Sequence, residues 1–462
     1  NASGGYDALP AGDQYYDGYC FAATIVGNGK RGLITSGSQT LYPATEEIAP
    51  VKAHLLWESN LGLVTQIELM YGYVRFKVPI NDTDNPPRGN AVIAVSDESG
   101  KILWSWHIWI TDTPQEVDIA PGNTTTATAM LDRNLGATRA AWTGADDVLD
   151  TYGLYYQWGR KDPSPGPRAY NYSVFDMITA PYYDYASERK TAAEVVNFAR
   201  PTLRNAVENP MYLILPTDQT GGNYYFNWTY NRYDFLWGWD EQEEEVSKTI
   251  YDPCPFGYRV PGGELGTFFA EDAQTTTLTA RKQAISRNDY GMVATTKKGE
   301  TIYFPYAGYK GVDIGLNSMV CSWRYVGTKG DLQTAVIHPF KGDLHDGHRE
   351  RIYYSKEWSW SETSGQSYAG YIHNDYTNRR TAAPVRCVKD KPFSSLQTIL
   401  AFLESDGEIY PSASVSLDCN VRTKHATVNS VKIQVLGFRH KLNSATYEVD
   451  DYDNLEVLNT IY

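Results

Sequence analysis

Gly89-Asn-Ala-Val-Ile-Ala-Val-Ser-Asp-Glu-Ser-Gly-Lys-Ile-Leu-Trp-Ser-Trp-His-Ile-Trp-Ile110 reads as two strands around a short polar turn. Ala91–Val95 and Ile102–Ile110 carry the β-branched and aromatic residues that pack well on a pleated surface. Ser96 to Gly100 between them are turn formers, which predicts a hairpin. Trp104, Trp106 and Trp109 fall on both faces of the second strand, so it is expected to be covered on both sides. Upstream, Gly72, Val74, Phe76 and Val78 alternate with Tyr71, Tyr73, Arg75 and Lys77, the period of a half-buried strand. Asn81-Asp-Thr-Asp-Asn-Pro-Pro-Arg-Gly-Asn90 is rich in turn formers and links the two patterns. Residues from Cys20 to about Asp118 therefore read as a β-rich unit.

Downstream, from about Ala129 to Asp390, regular periodicity thins and turn residues accumulate. Thr191–Arg200 is expected to form a short helix ending before Pro201. In Asn223–Asp240, nine of 18 residues are Tyr, Phe or Trp, and Glu241-Gln-Glu-Glu-Glu245 follows as an acidic patch. A connection of that composition is expected to be a binding loop or a packed Ω-type loop. After Asp390, Leu396, Ile399, Leu400 and Leu403 recur at helical spacing behind Ser394 and Ser395 and before Gly407. Two alternating strands follow, Ala413 to Val421 and Val431 to Val435, which predicts a small α+β unit.

The chain has 462 residues, more than one ordinary core accommodates, so two or three domains are expected. With 41 basic and 55 acidic side chains it carries a net charge of −14, a field that repels nucleic acid and anionic lipid. No apolar run approaches the roughly 20 residues that a membrane-spanning helix needs. Asn1 stands where an initiating Met would, and removal of a leader or upstream segment is the expectation. The 36 Tyr and 12 Trp suit faces that are partly dry and partly wet, or a well-packed β-rich core. None of the five cysteines forms a CxxC pair, so zinc-ribbon and thioredoxin readings fail on spacing.

Four aromatic, Gly- and Arg-rich words recur over the central segment. They are Asp132-Arg-Asn-Leu-Gly-Ala-Thr138, Tyr152-Gly-Leu-Tyr-Tyr-Gln-Trp-Gly-Arg-Lys-Asp-Pro163, Tyr251-Asp-Pro-Cys-Pro-Phe-Gly-Tyr-Arg-Val-Pro261 and Pro384-Val-Arg-Cys-Val-Lys-Asp390. In an exported chain Cys254 and Cys387, which sit in two of these words, are the pair expected to join; five buried free thiols are the alternative.

The order of these words resembles the Fibrobacter succinogenes major paralogous domain of Bacteroidota surface proteins, over roughly Met130 to Asp390. Leu55-Leu-Trp-Glu58, Gly89–Val95 and Ile102–Trp109 resemble the segment that precedes this domain in fimbrillin-family proteins. The chain departs from the pattern at Gly262-Gly-Glu-Leu-Gly-Thr-Phe-Phe269 and at Trp358-Ser-Trp-Ser-Glu362. The resemblance implies a fold near the C-type-lectin-like and formylglycine-generating-enzyme class. It also implies an exported protein at the cell surface, outer-membrane-attached or fimbrial, in many members a fimbrial subunit or tip adhesin.

Arg133, Arg160, Arg259 and Arg386 fall one in each word. They are expected to pin loops to backbone carbonyls and to Asp132, Asp162 and Asp252, rather than to form a ring that reads carboxylates or sugars. His345-Asp-Gly-His348, with Asp343 and Glu350, has zinc-like ligands but reads as an exposed polar loop. Calcium is the one cofactor with a candidate place, the acidic loop Asn81–Asp84, although no full twelve-residue calcium loop is present. No GxSxG, HExxH or Walker-type word appears. In the aromatic loop, Tyr224, Tyr225, Trp228, Trp237 and Trp239 are the candidate ligand-binding residues, with a satellite core as the competing role.

The expected class is α+β in three units. They are a β-sandwich-like N-terminal domain (1–122), a loop-rich C-type-lectin-like domain (123–390) and a small α+β C-terminal domain (391–462). The expected function is a non-enzymatic adhesin, a fimbrial tip or accessory subunit, whose partners are a glycan or a host or microbial surface protein and other fimbrial subunits. The alternatives are a structural pilin that assembles by strand addition, and a divergent formylglycine-generating-type enzyme using Cys321 and Cys387.

Overall fold

The computed structural model describes residues 50–390 except 71–72, 80–86, 120–126, 143, 171–177, 193–194, 218–226, 231–232, 241–244, 247, 250, 256, 263–284, 288, 297, 316–317, 338–348, 356–358, 362–365 and 369–371. Outside that span it describes the backbone of strands at 15–21, 35–36, 39–40, 414–417, 421–422, 427–428 and 431–434. The fold is β-rich. Among the described residues helix is confined to the α-helix Leu203–Glu208 and the 3-10 turn Val148–Thr151.

Gly89–Ser96 and Ile102–Ile110 form the expected antiparallel hairpin, with Ala91 opposite Ile108 and Val95 opposite Trp104. Every residue of Gly89–Ser96 is buried, as a strand covered on both sides requires; in Ile102–Ile110, Trp104 and Trp106 on one face are buried and Trp109 on the other is half-buried. Lys52–Glu58 pairs along the other edge of Gly89–Ser96. The sheet then continues into Ile178–Asp184, where Tyr183 lies opposite Glu58 and Asp184 opposite Trp57, and ends on Arg189–Ala192. Two of its five strands thus come from beyond residue 122. One hydrophobic cluster runs from Leu56 through Trp158 to Cys387. The boundary expected at 122/123 therefore falls within a shared sheet and core. Gly89–Ser96 is buried along its whole length, and strands from both sides of residue 122 belong to its sheet.

In Tyr73–Pro79 the alternation places Val74, Phe76 and Val78 inside, at 0%, 2% and 4% exposure. Thr191–Arg200 is not a helix. Arg189–Ala192 and Val195–Phe198 are strands, the second parallel to Leu213–Pro216. Val195, Val196 and Phe198 favour that extended state. The helix starts after Pro201, where Thr202 and Asn205 cap each other's backbone N–H groups in a capping box. In the C-terminal region Ser414–Leu417 pairs antiparallel with Val431–Gln434. The helix expected at Leu396–Leu403 lies outside the described residues.

The four words converge. One sheet orders Tyr258–Arg259, Val388–Lys389, Ala129–Leu131 and Glu116–Asp118 side by side, and so joins the third and fourth words to the strand that leads into the first. Tyr155–Gln157 of the second word pairs with Ala382–Pro384 at the start of the fourth. Cys254 and Cys387 are joined by a disulfide with a Cα–Cα separation of 5.8 Å. Gly153 marks how close the words come: its φ is +75°, and a Cβ there would sit 2.6 Å from the Leu135 carbonyl oxygen.

Candidate functional site

The four arginines are built into the interior. Arg386 donates to Asn134 Oδ1 at 2.8 Å and to the carbonyls of Asp132 (3.1 Å) and Tyr303 (3.0 Å). Arg160 donates to Gln157 Oε1 and to the carbonyls of Asn209, Ala206 and Tyr212. Burial pulls both guanidiniums down to about 10, which leaves them charged at neutral pH. Arg133 forks onto Asp132 and Asp112, and its hydrogen bond holds the Asp112 carboxyl down to about 2. Arg259 reaches the Val260 carbonyl and lies 3.6 Å from Asp390.

Two of the expected carboxylate partners belong to lysines instead. Asp162 takes Lys161 Nζ at 2.6 Å, and Asp252 takes Lys248 Nζ at 2.9 Å. Asp252 also accepts the N–H groups of Cys254 and Val260.

The aromatic loop is mostly core where it is described. Trp228 is 2% exposed and donates to the Trp158 carbonyl at 2.7 Å. Trp237 is 0% exposed, donates to the Tyr251 carbonyl at 3.0 Å and packs 5.6 Å from the Trp158 ring. The expectation that these two rings face a ligand does not hold, because a segment with so little regular structure uses them to fill its interior. Trp239 is half-buried on the short strand Trp239–Asp240 and packs against the main core. Tyr224, Tyr225, His345, His348 and the loop Asn81–Asp84 lie outside the described residues. Among the described residues no group of three His, Cys, Asp or Glu is arranged to hold a metal. The Cys387 sulfur is bonded to Cys254, so the Cys321–Cys387 pair required by an oxidase-like chemistry does not form.

An open cleft of about 290 Å³ lies where the first two words meet the five-stranded sheet. That is close to the lower end of ligand pockets, roughly 300 Å³. Trp57 and Tyr182, edge-to-face at 5.9 Å on adjacent strands, line one side. Leu149, Pro165, Pro167 and Pro181 add apolar surface, and Asn60, Arg88, Thr138 and Asp150 bring the polar groups. Asn60 Nδ2 donates to the Arg88 carbonyl at 3.0 Å, and Arg88 Nη1 to the Thr138 carbonyl at 3.3 Å. Glu58 fixes the loop behind Asn60 by accepting the N–H groups of Gly62 and Val64. Gly136, at φ +86°, lets the first word approach: a Cβ there would meet Leu154 Cγ at 2.6 Å.

A hydrogen-bonded chain stiffens the cleft from within. Asn90 lines it and donates through Nδ2 to the Gly136 carbonyl at 2.8 Å. Its Oδ1 lies 2.9 Å from His107 Nε2, and His107 Nδ1 lies 3.1 Å from the Tyr156 hydroxyl. The amide orientation makes Nε2 the donor and leaves Nδ1 to accept from Tyr156, so the imidazole is neutral. Burial pushes its pKa down to about 3.

Below pH 6.5 the unfolded chain takes up a proton here that the folded chain refuses, so this residue's contribution is complete above pH 6.5 and falls as pH drops towards 3. The expected loss is about 1.4 kcal/mol per pH unit, or about 2 kcal/mol between pH 6.5 and 5. Urea midpoints of the wild-type chain and His107→Gln across this range measure it. The wild type should lose stability more steeply, and equal slopes would remove His107 as the source.

No known protein family, curated protein or solved structure matches the chain. The cleft was not visible as a motif because its walls come from six separate stretches of sequence. The local signals that point to it are the close-approach glycines Gly136 and Gly153 inside the first two words.

Proposed function

We propose that the chain is an exported, non-enzymatic recognition protein of the cell surface, an adhesin-type subunit that binds a glycan or protein ligand in the cleft between the five-stranded sheet and the first two words. One observation carries this reading: an open cleft of about 290 Å³ pairs a nearly rigid aromatic and proline wall with hydrogen-bonding groups at its mouth. Its backbone is fixed by Glu58, Asn90 and the His107 chain, the kind of support that holds recognition loops ready for a ligand. The Cys254–Cys387 disulfide supports an oxidising compartment, as expected of an exported protein. No described helix is long and apolar enough to cross a membrane. In line with the motif resemblance, we place the chain at a fimbrial tip or accessory position, attached through other fimbrial subunits.

The test is binding of the intact chain to arrayed glycans and to a panel of host and microbial surface proteins. The wild type should give a reproducible ligand, and the Arg88→Ala/Asp150→Ala double variant should bind it at least about tenfold more weakly, with an unchanged circular dichroism spectrum. Both side chains are solvent-exposed, at 40% and 51%, so the fold should tolerate the change. A ligand bound equally well by the double variant would sink the cleft as the site.

A further inference from the structure

Arg88 and Asp150, the charged side chains among the described residues that line the cleft, are both paired. Arg88 lies 3.5 Å from Asp112, while Arg139 lies 3.3 Å from Asp150 and 3.7 Å from Asp147. Arg133 also forks onto Asp112 and Asp132, so three guanidiniums meet four carboxylates here, on a chain of net charge −14. An anionic ligand would be repelled here, whereas a neutral one rich in hydroxyls finds both donors and acceptors.

Three half-buried rings from distant parts of the sequence gather nearby. Trp142 and Tyr290 have centroids 5.3 Å apart at 52°, and Tyr170 and Tyr290 are 5.3 Å apart at 70°. They pack on the hydrophobic cluster that contains Tyr152 and borders Leu149, and both of those residues also line the cleft. The rings and the cleft thus lie against the same hydrophobic cluster. The Trp142 indole N–H is closed to solvent and has no acceptor among the described residues. Trp142 is half-buried, so part of its ring surface is open.

We propose that Trp142, Tyr170 and Tyr290 form a stacking subsite continuing the cleft, and that the ligand is a neutral glycan of two or more sugar units. The inference rests on the cleft being the recognition site. A pyranose offers a C–H face that packs on aromatic rings and an edge of hydroxyls that bond to groups such as Asn60, Thr138 and Asp150.

The test is calorimetric titration of the intact chain with neutral gluco-, manno- and galacto-oligosaccharides of one to six units, and with sialylated and uronic-acid oligosaccharides. Affinity should rise with length in one neutral series. Trp142→Ala or Tyr290→Ala should remove about tenfold of that gain while leaving the shortest bound ligand unaffected. Trp142→Phe should keep most of the gain, and near-ultraviolet circular dichroism shows whether each variant is folded. Arg88→Ala/Asp150→Ala should weaken every length. The proposal is overturned by tighter binding of the acidic series, by a length dependence that survives loss of the rings, or by no neutral glycan binding at all. In that last case a protein ligand lost in the Arg88/Asp150 variant would leave recognition by the cleft standing, and a ligand insensitive to that variant would remove both.

Discussion

Replacing Cys254 and Cys387 together by Ala is expected to lower the unfolding free energy by about 4–5 kcal/mol. The two residues are 133 apart in sequence, so the bridge closes a long loop and removes much conformational freedom from the unfolded chain. Chain-entropy arithmetic for a loop of that length gives about 5 kcal/mol, and strain or residual structure in the unfolded state reduces it. Both cysteines are fully buried in the main hydrophobic cluster, so small cavities add to the loss. The effect should spread beyond the third and fourth words, because the Cys387 carbonyl accepts the Leu131 N–H at 2.9 Å and so ties in the first word. Guanidinium unfolding of the oxidised wild type and the double variant measures it. A loss under about 1 kcal/mol would mean that the words hold together without the bridge.

The parts of the fold legible in the sequence are those fixed by short-range pattern. Val74, Phe76 and Val78 turn inward, and Ala91–Val95 meets Ile102–Ile110, because period-two alternation and a polar turn are local properties. The general role of the arginines as loop pins was also readable, from the need to satisfy buried carbonyls in a chain with little regular structure. Their partners were not. Lys161 rather than Arg160 holds Asp162, and Lys248 rather than Arg259 holds Asp252, choices set by how loops stack in three dimensions. The choice between the two roles open to Trp228 and Trp237 was illegible for the same reason: composition marks a ring as useful in a core or at a surface without saying which. The misplaced helix is different, since Thr202 and Asn205 after Pro201 carry a readable start signal that the apolar pattern of 191–200 obscured. The cleft has no contiguous signature, because Trp57, Asn90, Gly136, Asp150, Pro167 and Tyr182 are spread over more than 120 positions.

Arg386→Met should destabilise the fold by about 3–5 kcal/mol. Arg386 is 0% exposed, and its fork serves Asn134 Oδ1 and the carbonyls of Asp132, Leu131 and Tyr303, with its guanidinium 5.0 Å from the Phe304 ring. Met fills similar volume but donates nothing, so acceptors closed to water lose their donor, at about 1–3 kcal/mol for each group left unmet. Some of that is recovered because a buried charge is removed, which keeps the net figure below the sum. Arg386→Lys separates geometry from charge: an ammonium keeps the charge but does not span acceptors that lie on both sides of a planar fork. It should lose at least half as much as Met. Denaturant midpoints give the totals, and hydrogen exchange at the Leu131 and Leu135 amides, which donate to the Cys387 and Val385 carbonyls, gives the location. Faster exchange there in both variants is the expected result. Full rescue by Lys would mean that the buried charge, and not the fork, ties the first word to the fourth.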